Sequence, residues 1–150
     1  MIIQIMAAFA ATVAFSLLFN VPKKQYFYCG LTGAIGWFFY LCSNTIFSVV
    51  TASFIATVFI TTFSRFFAVV RKTPITVFLI SGIFPIVHGA GIYYASYYLI
   101  MNDTILANAK GLETVKIACA IALGIVVVLA IPYKYFALGL KFSKSKKGMI

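Results

Sequence analysis

Residues 73–102 read TPITVFLISGIFPIVHGAGIYYASYYLIMN, a run of 30 residues without one formal charge. A helix rises about 1.5 Å per residue, so this run is longer than a hydrocarbon core of about 30 Å needs. It is too short for two crossings and a turn. The expectation is one tilted or broken helix over 74–101. Pro74 suits the first turn, where its missing N–H costs nothing. Pro85 and Gly89 fall near the middle and can open the hydrogen-bond ladder. The midpoint lies between Val87 and His88. An ionisable group at that depth is costly in lipid, so His88 faces a cavity or a partner, or it is a packing histidine beside a proline kink.

The rest of the chain has the same character. Residues 1–22 are uncharged and lack a basic start or a clear cleavage site, which reads as a retained helix over 2–19 rather than a signal peptide. The uncharged stretch 25–64 has room for two helices, 26–41 and 46–70, with the polar turn Cys42–Thr45 between them. Residues 102–116 read as a loop. Ile117–Tyr133 is the last span, and 134–150 is a basic tail suited to anionic headgroups. The chain is thus expected to be all-α, a single membrane domain of five spans.

Composition supports this. Of 150 residues, 63% are hydrophobic and 9% charged, against about 25% charged in soluble domains. A soluble enzyme, a disordered tail and a disulfide scaffold are all excluded on that ground. There are 12 Lys and Arg against 2 acids. Because the basic residues sit between apolar runs, they point to membrane orientation and not to nucleic acid. Ten of them fall on one side of a five-span topology and two on the other, which places the N-terminus outside and the C-terminus inside. A multi-pass protein of the cell membrane follows.

No catalytic set is visible, and no metal-ligand spacing or cofactor motif. Both acids, Asp103 and Glu113, are expected in the outer loop. Cys29, Cys42 and Cys119 lie in apolar stretches and read as small buried hydrophobes. Gly30, Gly33 and Gly36 form a strip for close helix packing, within the subunit or against a partner. Trp37 and the tyrosines at 93, 94, 97 and 98 fit an interfacial belt, or line a pathway. Arg65, more than a turn deeper than Arg71, meets a substrate carboxylate or a partner's acid, or snorkels to the surface.

Several motifs together resemble a known family. Phe19-Asn20-Val21-Pro22-Lys23 resembles its Phe-Asn-Val-Pro element followed by basic residues. Cys29-Gly30-Leu31-Thr32-Gly33-Ala34-Ile35-Gly36-Trp37 is similar to its glycine-rich second helix. Ser64-Arg65 followed by Pro74 also corresponds. Pro85-Ile86-Val87-His88-Gly89-Ala90-Gly91-Ile92-Tyr93 resembles its Pro-x-x-Pro-Gly-x-x-x-Tyr motif, with His88 in place of the second proline. The family is the threonine/serine exporter (ThrE) family, in the small-subunit form of its two-component members. The resemblance implies a larger membrane subunit with a soluble domain as partner. It also implies export of small amino acids or of a dicarboxylate such as succinate. On that reading Pro85, His88 and Gly89 form the helix break near substrate, and Arg65 attracts a carboxylate. Asn20 and Pro22 shape the end of the first helix, and Tyr93 lines the path. A homo-oligomeric pore and a non-transporting assembly subunit are the alternatives.

Overall fold

The computed structural model describes residues 1–87 and 89–132. His88 and the basic tail lie outside the described residues. Among those residues there are six α-helices and no strand: α1 (Ile2–Leu18), α2 (Tyr26–Asn44), α3 (Val49–Arg71), α4 (Ile75–Ile83), α5 (Gly89–Ile100) and α6 (Thr104–Ala130).

The helix ends follow from local chemistry. At the end of α1, Asn20 adopts a left-handed φ of 52°. Val21 N–H then donates to Ser16 O and Asn20 N–H to Leu17 O. This is a Schellman closure, and asparagine tolerates the left-handed conformation better than most residues. Pro22, which follows it, cannot continue the helix. Asn102 (φ 59°) ends α5 in the same way, with Asp103 N–H donating to Tyr98 O and Asn102 N–H to Leu99 O. Ser48 caps α3 through Thr51 N–H, so the α2–α3 turn lies at 45–48 and not at 42–45.

One further sequence expectation is corrected. The segment 102–116 is not a loop: α6 is helical from Thr104, for 27 residues. The Asp103 carboxylate accepts from Leu106 N–H at 3.1 Å and caps its start. Lys110 and Glu113 pair along its side. The polar letters that suggest a loop are thus a cap and one charged face, and Glu113 is a helix residue. The stretch 74–101 is a broken helix of two parts. α4 ends in a 3-10 turn at Phe84–Ile86, Val87 is extended, and α5 departs at 46°.

The first four helices form a close bundle. α2 packs against α1, α3 and α4, and α3 also packs on α4. The glycines of α2 set the approach. A Cβ on Gly30 would come 2.6 Å from the Phe9 ring; one on Gly33 would collide with Thr12, and one on Gly36 with Ile60. Many buried side chains are small and hydroxylated: Thr12, Ser16, Thr32, Ser53, Thr57, Thr61, Ser64 and Ser81 are all inaccessible. Most return their proton to the carbonyl one turn back, as Thr12 does to Ala8 O (2.7 Å), Thr57 to Ser53 O (2.7 Å) and Thr61 to Thr57 O (2.8 Å). A hydroxyl satisfied within its own helix can be buried at a helix contact without an unpaired donor. Phe78, Ile60, Ile86 and Val128 fill the interior beside them, while many other large apolar residues point outward, including Ile3, Leu18, Ile105, Leu112, Leu123 and Val126. A surface of that kind suits a lipid solvent.

By length and composition α3 and α6 can each cross a membrane, and the bent α4–α5 pair makes a third such element if it is one span. α1 is apolar but only 17 residues long.

Candidate functional site

Much of the chemistry gathers along α4. The end of α3 and the start of α4 meet the start of α2 at the basic end of the bundle. There Gln25, buried, donates from Nε2 to Thr73 Oγ1 (3.1 Å) and accepts from Arg71 Nε at Oε1 (3.1 Å). The Arg71 guanidinium lies 4.8 Å from the centre of the Tyr28 ring, a cation–π contact. This clamp fixes where α4 begins. Gln25 carries no motif that sequence reading would have singled out. Its lone signal is an uncharged amide next to two lysines.

Three cavities share α4, or the turn that ends it, as a wall. The first, about 250 Å³, lies between Asn20 and Pro22 of the α1 terminus and Thr76, Ile80 and Ser81 of α4. The second, about 260 Å³, is lined by Arg65, Thr73, Pro74, Ile75 and Leu129. The third, about 280 Å³, is lined by Gln4, Ala8, Trp37 and Pro85. The expected site residues Asn20, Pro22, Arg65 and Pro85 therefore border three neighbouring spaces rather than one. Gly89 starts α5, and a Cβ there would meet nothing within 4 Å. Tyr93 is exposed, with its ring 5.4 Å from Tyr94 and 6.4 Å from Tyr97. His88 lies outside the described residues.

The break has a definite cause. Pro85 has no N–H to offer Ser81 O, which a continuous helix would require. The ladder tightens to 3-10 geometry, and Val87 N–H is shared between Ile83 O and Phe84 O, both at 3.3 Å. Ile86 is driven into the core against Gly36 and Ile60. The broken point is thus anchored on one side and open on the other, where Val87 is exposed. Trp37 Nε1, next to the Pro85 cavity, and Ser64 Oγ are buried without a hydrogen-bond partner among the described residues.

Arg65 does not simply reach outward. Its guanidinium donates to Val128 O (2.8 Å), Ile131 O (2.5 Å) and Leu129 O (3.4 Å) at the end of α6. A cation on the last carbonyls of a helix satisfies groups that have no intrahelical donor and favours the helix dipole. Arg65 thereby joins α3 to α6 while lining its cavity.

Apolar helices with hydroxyls turned inward and many large apolar side chains at the surface are those of a helical membrane protein. The chain belongs to the threonine/serine exporter (ThrE) family, whose model matches residues 4–131. No curated protein and no solved structure matches it. The family is one of exporter-type transporters and not an enzyme class, and it acts in a membrane on amino acid substrates.

Proposed function

We propose that the chain is the small subunit of a two-component exporter, working by alternating access against a larger membrane subunit with a soluble domain. Its cargo is a small amino acid such as threonine or serine, or a dicarboxylate such as succinate. The chain crosses the cell membrane five times, near 2–19, 26–41, 46–70, 74–101 and within α6, with its N-terminus outside. The observation that carries this reading is the shared wall. α4 and its 3-10 end border all three cavities and stop at a proline break. Small rotations of a short helix hinged at such a break change access on both sides together. Asn20, Pro22 and Arg65 stand at the basic end, where cargo enters from the cytoplasm. Pro85, His88, Gly89 and Tyr93 lie further along the path. Among the described residues α5 packs on α6 alone, which leaves flanks for the partner subunit.

The test is efflux of labelled threonine and of succinate from cells holding the chain with its native partner. Either subunit alone should fail. Pro85→Ala and His88→Ala should cut efflux sharply while the protein stays in the membrane at normal levels. Unchanged efflux in both variants contradicts the role of the break. Dye leakage from vesicles holding this chain alone would favour a homo-oligomeric pore instead.

A further inference from the structure

Among 150 residues there are only two acids. Asp103 is used as the cap of α6. The other, Glu113, receives a hydrogen bond from Lys110 Nζ at 2.9 Å, and both side chains are a little under half exposed. The pair lies about 9 and 14 Å along α6 from its start, before the uncharged run that begins at Ile117. A cavity opens beside it. It is about 180 Å³, lies between α5 and α6, and is lined by Gly91, Tyr94, Lys110, Glu113, Thr114 and Ile117.

The walls of this space are close-set. A Cβ on Gly91 would collide with Thr114, so the helix backbones approach there as only glycine permits. The Thr114 hydroxyl is held by Lys110 O at 2.8 Å. Liquid water takes about 30 Å³ per molecule, so the space equals about six waters, the scale of a three- or four-carbon amino acid.

We propose that this α5–α6 cavity binds an α-amino acid zwitterion, with Lys110 taking its carboxylate and Glu113 its ammonium; the proposal rests on the exporter reading and narrows its cargo. An ammonium has only donors and a carboxylate only acceptors, so the two protein charges match the two ligand charges in one orientation. Binding replaces one ion pair by two. A dicarboxylate is disfavoured, because its second negative charge would approach Glu113 in a site with one cation. The site lies on the far side of the α4–α5 break from the basic end, where exported cargo is released.

The experiment is equilibrium binding of labelled threonine to the purified full chain in lipid nanodiscs. Competitors are succinate and the analogue of threonine that has hydroxyl in place of its amino group. Threonine should bind about tenfold or more tightly than that analogue, and Glu113→Gln should abolish the difference, since hydrogen bonds to charged groups are worth that much. Lys110→Gln should weaken both ligands alike. Hydrogen exchange of the unaltered chain serves if a variant fails to fold: threonine should slow exchange in 89–94 and 108–117. No binding to the chain, a preference that survives Glu113→Gln, or exchange unmoved in those segments overturns the site. Threonine efflux by the intact pair, measured separately, decides the exporter reading. Efflux that persists while these results fail removes the site and leaves the function standing.

Discussion

α2 and α5 are both glycine- and tyrosine-bearing apolar helices, yet they sit in opposite surroundings. α2 buries Cys29, Gly30, Thr32, Gly33, Ala34, Gly36 and Tyr40 against three neighbours. Among the described residues, α5 buries none of its own and packs on α6 alone. The difference is one of spacing. In α2 small residues recur every three positions and let Phe9 and Thr12 of α1 and Ile60 of α3 close onto its backbone. In α5 the glycines are confined to the first turn and bulky Tyr, Leu and Ile follow. The lesson is a division of labour: α1–α4 and α6 form a close-packed unit, in which α6 lies along α3 and is tied to it by Arg65, while α5, beyond the break at Pro85, leans on α6.

The largest expected effect strikes the packed unit. Gly33→Leu drives a side chain into Thr12 and should lower unfolding stability in detergent by about 3 kcal/mol. Gly111→Ala, on α6, meets nothing within 4 Å and should raise it by up to about 1 kcal/mol through helix propensity. If both changes have the same sign, the contrast between a packed and an open glycine is wrong.

Next comes the fastening. Arg65→Gln removes a charged donor from three carbonyls at the end of α6 and should cost about 2 kcal/mol. It should also raise hydrogen exchange at 126–131 more than anywhere in α2. Uniform loosening of both regions would show that Arg65 is not a local tie.

The smallest effect uses the native thiols. Cys29 is inaccessible beside Val77 O, and Cys119 is exposed on α6. A lipid-soluble maleimide should label Cys119 quickly and Cys29 only on unfolding, and Cys119→Ser should change stability by less than about 0.5 kcal/mol. Equal labelling of the two would contradict the packing of the first unit.

Much of this was legible from residue spacing. The all-helical architecture followed from long uncharged runs, and the interruption of 74–101 from Pro85 and Gly89. Membership of the ThrE family was legible in four motifs read in order. The start of α6 was not. Asn102, Asp103 and Asn108 look like loop residues by letter, but a cap and a helix face use the same letters. What separates them is whether Leu106 N–H meets the Asp103 carboxylate, which is a fact of geometry. Arg65 was picked out by its depth, but its carbonyl partners lie more than 60 residues away. Long-range pairing leaves no mark in the local pattern. Gln25 escaped notice for the same reason, since its role depends on Thr73 and Arg71 folding back over it.

The central claim is that this chain works as half of an exporter. Its most direct test is purification of the tagged chain from its native membrane in mild detergent, with co-purifying proteins identified and their stoichiometry measured. The account predicts a second polytopic protein carrying a large soluble domain, in fixed ratio to this chain. Recovery of the chain alone, as a homo-oligomer, would contradict it.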